Sequence, residues 1–153
     1  MKPMTRLGPL IVAIALVAGG CGKKSETGAT SGGATSSLDQ GPRAGESPVD
    51  ESKVATGEGL FKTKGCSACH GFGRRISCPD LQNVTMRRTR QWMENQILHP
   101  DVMTKEDPIA HQLLATYSLQ MPNLKLTPDE AQSLIEFLKH KDHEFHEGTE
   151  AKK

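Results

Sequence analysis

The chain has 153 residues, room for one domain and additional segments. Hydrophobic residues make up 35% of it and aromatics 4%, which is thin for a core built of side chains alone. A net charge of +1 offers no bulk field for holding nucleic acid, and the four cysteines (Cys21, Cys66, Cys69, Cys78) each sit in a different local setting, which argues against a disulfide framework.

The N-terminus reads as an address. Lys2 and Arg6 precede an unbroken apolar run over 10–18, and Gly19-Gly20-Cys21 follows. The run is about half the ~20 residues that a membrane-spanning helix needs. It has the length of a secretory signal core, so residues 1–20 are expected to be a signal peptide. Small residues directly before Cys21 resemble the lipobox of bacterial lipoproteins, although Ala18 stands where Leu is usual. That resemblance implies cleavage before Cys21 and lipid attachment to it. An ordinary cleaved signal and an uncleaved anchor are the alternatives. All three send the chain out of the cytoplasm, to the periplasmic side of a membrane.

Residues 21–52 are rich in Gly, Ser, Thr, Ala and Pro and lack apolar periodicity. Such a composition buries too little to offset chain entropy, so a flexible linker is expected. About 30 such residues reach on the order of 30 Å. The expected domain covers 53–146, with a disordered tail over 147–153.

The domain opens on a predicted helix at 54–62, with Gly57 and Phe61 four residues apart on one face. It leads into Cys66-Ser67-Ala68-Cys69-His70, a C-x-x-C-H pentapeptide and the attachment signature of c-type haem. The spacing has a chemical reason. Two thiols on one helical turn can add to the two vinyl groups of a haem, and the following imidazole can then ligate the iron. A haem would also supply the apolar surface that the composition lacks.

After His70 an irregular loop over 71–81 ends in Pro79-Asp80-Leu81. C-x-x-C-H followed by a short loop and Pro-Asp-Leu resembles the class I c-type cytochromes. The resemblance implies an all-α domain wrapped around one covalent haem c. In that family the carbonyl of the loop proline accepts a hydrogen bond from the haem histidine, so Pro79 would orient His70. Cys78 departs from the family, which often has glycine there. It reads either as a small buried side chain or as a free thiol able to pair with another chain.

The helix expected at 89–98 carries the only tryptophan, Trp92, and is stopped by Pro100. The resemblance suggests a role for Trp92 beside a haem propionate; core packing is the plain alternative. Arg74, Arg75, Arg87, Arg88 and Arg90 are candidates for a basic patch at the haem edge or for a solvated face. Asp107-Pro108 begins another helix, expected to end near Tyr117. Met121-Pro122 follows in a loop, where the family keeps its second axial ligand, so Met121 is the expected partner of His70. Met86, Met93, Met103, His99 and His111 are the competitors.

Thr127-Pro128-Asp129-Glu130 is a capping box that opens the last helix. Leu134 and Phe137 on it pair with Gly57 and Phe61 in the family's pattern of crossing first and last helices. That helix is expected to end near His140. His140, His143 and His146 with nearby carboxylates then form either a weak metal cluster or a frayed terminus.

Other readings of the Cys pair are a thioredoxin-like dithiol, which wants strands, and a zinc site, which wants further paired ligands. The combined reading is a single-electron carrier of an extracytoplasmic respiratory chain. It would exchange electrons with donor and acceptor redox proteins, such as membrane respiratory complexes or a periplasmic reductase, and have no enzyme activity. The alternatives are a five-coordinate haem sensor, a peroxidase-like protein, or the cytochrome subunit of a larger oxidoreductase.

Overall fold

A computed structural model describes residues 34–150. The expected signal peptide, Cys21 and the first part of the expected linker lie outside the described residues. So do residues 151–153. Among the described residues there are seven α-helices, two 3-10 turns and no strand. The helices are α1 (Glu51–Thr63), α2 (Cys66–Cys69), α3 (Val84–Arg87), α4 (Arg90–Leu98), α5 (Pro100–Glu106), α6 (Pro108–Tyr117) and α7 (Pro128–Glu150). None is long and apolar enough to cross a membrane.

The frame is the crossing of α1 over α7. Gly57 is buried at the contact, and a Cβ there would lie 2.7 Å from the Ser133 carbonyl carbon and from Phe137 Cβ. Four residues on, the Phe61 ring packs 5.4 Å from that of Phe137 and 5.5 Å from that of Phe72. The α7 side of the core is the apolar stripe Ala131, Leu134, Ile135 and Leu138. The capping box forms: the Thr127 amide donates to Glu130 Oε2 (2.8 Å), and the Glu130 amide donates to Thr127 Oγ1 (3.2 Å).

Helix α7 runs well past His140, where its end was expected. Asp142 supplies the reason. It is buried and accepts hydrogen bonds from the Asn83 amide (2.6 Å), the Thr85 amide (3.0 Å) and Thr85 Oγ1 (2.6 Å). This carboxylate satisfies orphan donors at the start of α3 and pins the far half of α7. The polar residues that read as a frayed tail are thus part of the fold as far as the helix continues. Helix α5 was not expected. Pro100 stops α4 but also stands at the first position of the next helix, where its missing N–H costs nothing.

The expected linker is corrected from residue 34 onward. Two 3-10 turns, Ser37–Asp39 and Ala44–Glu46, lie against the domain. Thr89 Oγ1 donates to the Leu38 carbonyl (2.6 Å), and the Ala44 amide donates to the Arg88 carbonyl (2.9 Å). At the end of this strap Lys139, fully buried, donates to the Pro48 carbonyl (2.6 Å), Ser47 Oγ (3.1 Å) and Glu136 Oε2 (2.8 Å). Ordering comes largely from polar pairing, which composition does not register, with Ala44 buried in the core and Ala34 and Leu38 packed against it.

Glu136 also accepts from the Asp50 amide (2.9 Å) and from Arg90. Burial alone opposes its charge, but Lys139, the Asp50 amide and Arg90 together outweigh that and hold the carboxyl below its ordinary value. A carboxyl lowered on folding contributes stability that is present above the unfolded value of about 4.3 and lost as pH falls through the lower folded value. The thermal midpoint should therefore be flat near neutrality and drop below about pH 4. In Glu136→Gln that acid drop should shrink, and melts followed by circular dichroism across this range decide it. An unchanged acid slope would remove Glu136 as its source.

Candidate functional site

Helix α1 ends at Thr63, and Gly65 turns the chain at φ 80°, a left-handed value suited to glycine. The turn starts α2, which places Cys66 and Cys69 on a single helical turn with both thiols free and half-buried. The His70 amide closes that turn on the Cys66 carbonyl (3.0 Å).

The loop after His70 folds back on α2. The Cys78 amide donates to the Cys69 carbonyl (3.1 Å), and the Leu81 amide donates to the Gly71 carbonyl (3.0 Å). This brings the Pro79 carbonyl 2.8 Å from His70 Nδ1. A carbonyl only accepts, so the ring proton belongs on Nδ1 and the lone pair on Nε2 is left for a ligand bond. Burial pushes the imidazole below its ordinary pKa, and the Pro79 bond partly opposes that shift. The neutral ring is the ligating form.

His70 opens onto a cavity of about 460 Å³. Its walls are largely apolar: Phe61, Cys66 and Pro79 near His70, Trp92, Met93 and Ile97 from α4, Leu113 and Leu114 from α6, and Leu134 and Leu138 from α7. Met121 lines the same cavity from the loop between α6 and α7, and Gln96 Nε2 lies 3.9 Å from its sulfur. Among the competitors, Met93 also reaches the cavity, from α4. Met86 is exposed and Met103 is buried elsewhere in the core. His99 and His111 are exposed and away from the cavity.

Trp92 takes the plain alternative, a place in the packed core. Its indole N–H donates to Asp107 Oδ1 (3.0 Å), so this donor is already engaged and the ring serves as cavity wall. Asp107 also caps α6, accepting from the Ile109 and Ala110 amides at 3.0 Å each. Burial opposes its charge, but bonds from Ser36, Ala110, Trp92 and Ile109 together hold it below the usual carboxylate range. The basic patch is divided. Arg90 turns to Glu136, and the Arg75 guanidinium lies 4.4 Å from the centre of the Tyr117 ring. Among the described arginines and lysines, Arg87 and Arg88 alone line the cavity.

Cys78 is buried, 5% exposed, beside Cys69, and burial pushes its thiol up. A thiol so covered is not presented to another chain. Among the described residues no three His, Cys, Asp or Glu converge to hold a metal ion, which leaves the zinc reading and the C-terminal cluster without support there. The dithiol reading finds no strands to rest on among the described residues.

Two thiols on one turn, an imidazole with Nε2 open, a thioether on the same cavity and apolar walls fit a covalently attached haem. The comparisons point the same way. The family model for cytochrome c matches residues 54–142. The chain is similar to a solved cytochrome c from Rhodothermus marinus, with 31% identity, a TM-score of 0.61 and coverage of 63% of this chain and 83% of the other. An engineered cytochrome c from Rhodothermus marinus aligns at 30% identity and a TM-score of 0.60 over the same shares. The same engineered protein bound to a carbene intermediate aligns at 30% identity and a TM-score of 0.57, over 63% of this chain and 82% of that one. Among curated proteins none matches.

Proposed function

The chain belongs to the cytochrome c family, and from that premise we propose that it is a single-electron carrier working outside the cytoplasm, with His70 and Met121 as the axial ligands of its haem. Its cofactor is covalently bound haem c and its chemistry is haem-based electron transfer. The observation that carries the ligand assignment is one cavity lined by both His70 and Met121, with His70 Nδ1 already engaged by Pro79.

When bound, the haem supplies a one-electron iron couple. Cys66 and Cys69 would hold it to α2 through thioether bonds. His70 offers Nε2, and the Pro79 carbonyl fixes its tautomer and strengthens it as a donor. The Met121 thioether stabilises the ferrous state and raises the potential. The largely apolar walls would keep water from the haem. His70 and Met121 would both be engaged in holding the iron, so no enzyme activity is proposed. Electrons are exchanged with redox proteins, a donor and an acceptor, as part of a respiratory chain. Gly19-Gly20-Cys21 supports export and a lipid anchor at Cys21 that keeps the carrier at a membrane.

The test is the absorption spectrum and redox titration of the purified holoprotein from the membrane fraction. We expect a six-coordinate low-spin spectrum in both oxidation states, a methionine–iron charge-transfer band in the ferric form, and reversible one-electron behaviour. A high-spin ferric spectrum would sink the proposal. Intact mass of the same preparation should show an acylated chain beginning at Cys21; a different start removes the anchor and leaves the electron carrier standing.

A further inference from the structure

The strap at 34–50 lies outside the stretch that matches the family, yet it grips the cavity wall. Asp39, with its side chain only 8% exposed, is the centre of the grip. Its Oδ1 accepts from the Thr89 amide (2.8 Å) and from Arg43 Nη1 (3.2 Å), and its Oδ2 accepts from Arg88 Nη1 (3.0 Å). Arg43 also donates to the Arg87 carbonyl (2.9 Å). Arg88 then lies with its guanidinium carbon 5.0 Å from the Trp92 ring centre, on the cavity. Three residues earlier in the strap, Ser36 is buried, and its hydroxyl is among the groups that lower the carboxyl of Asp107, the residue that holds the Trp92 indole.

An arginine on a long flexible stem is held more firmly against an aromatic wall when its charge also has a fixed partner. Asp39 is that partner. Arg87, the other cation on the cavity, does not depend on it in the same way, because its guanidinium donates to the carbonyls of Gln82 and Asp80. We propose that the strap is a positioning element for the haem site, in which Asp39 holds Arg88 at the cavity wall so that its charge favours the reduced state. The proposal rests on the reading of this cavity as the haem site. A fixed positive charge disfavours the ferric form, which carries one more positive charge than the ferrous form.

Asp39→Asn separates positioning from direct electrostatics. Asn keeps the oxygen that receives the Thr89 amide, but it replaces the oxygen facing Arg88 with a second donor, which drives the guanidinium away. Were Asp39 acting on the iron by its own charge, removing that charge would raise the potential. If it acts through Arg88, the potential falls. In equilibrium redox titration of the full-length holoprotein we expect Asp39→Asn to shift the reduction equilibrium about tenfold toward the oxidised form, roughly 59 mV for one electron. Arg88→Met should give a similar shift, the double variant no further one, and Asp39→Glu a value near wild type. Amide exchange at Thr89 should stay slow in Asp39→Asn, showing that the strap is still in place. An unchanged or raised potential in Asp39→Asn, or the same shift on top of Arg88→Met, overturns the proposal. If Asp39→Asn does not fold, Arg88→Met alone decides, and an unshifted potential there also overturns it. A wild-type protein without a reversible one-electron titration overturns the electron-carrier reading instead.

Discussion

Gly57→Ala should destabilise the folded chain by about 2 kcal/mol, against the sign that helix propensity gives. Alanine is favoured over glycine inside a helix by about 1 kcal/mol. At Gly57 the new methyl meets the backbone of Ser133 and the Cβ of Phe137 at 2.7 Å. Neither is the loose end of a side chain, so relief requires α1 and α7 to move apart. Overpacking of this kind costs about 1–3 kcal/mol and sometimes more, enough to reverse the propensity gain. Gly59 is the internal control. It lies in the same helix with nothing within 4 Å of an added Cβ, so Gly59→Ala should stabilise by up to about 1 kcal/mol. Chemical denaturation of both variants checks the pair. Equal effects at the two positions would mean that the crossing is looser than a 2.7 Å approach requires.

Met121→Ala should abolish the methionine–iron charge-transfer band and lower the potential by on the order of 0.1 V, a part of the roughly 0.8 V over which axial ligands tune haem iron. It should also admit added imidazole, which the wild type resists. Met93 shares the cavity and is the proper comparison. It is 3% exposed on α4, packed within the core. Met93→Leu should keep the band and lose less than about 1.5 kcal/mol of stability, as volume-conserving core changes do. The reverse pattern, with the band lost in Met93→Leu and kept in Met121→Ala, would transfer the ligand role to Met93.

How much of this was legible in the chain depends on how local each feature is. The Cys66-x-x-Cys69-His70 turn is legible because its chemistry is set by spacing within five residues. The Thr127–Glu130 box and the Asp107 cap are legible for the same reason. Gly57 with Phe61, and Leu134 with Phe137, could be paired only because a known family crosses its helices there. The strap was not legible. Its partners lie far along the chain, Thr89 for Leu38 and Lys139 for Pro48, and they bind carbonyls and hydroxyls that any polar segment possesses. Asp142 hides in the same way, since its two partners sit at the start of α3 and nothing near it in sequence announces them. For Trp92 the sequence leaves two readings, a place beside a propionate and core packing, and does not choose between them. The indole needs one acceptor, and sequence spacing does not say that Asp107 comes within reach.

The α1–α7 crossing also orders events in time. Synthesis proceeds from the N-terminus, so α1 and the two thiols of α2 exist before any residue of α7 has been made. Gly57 has nothing to pack against until Ser133 and Phe137 arrive, and loop closure across that span must come before the contact repays it. The frame on which the Cys66–His70 turn rests is therefore completed only when the last helix arrives.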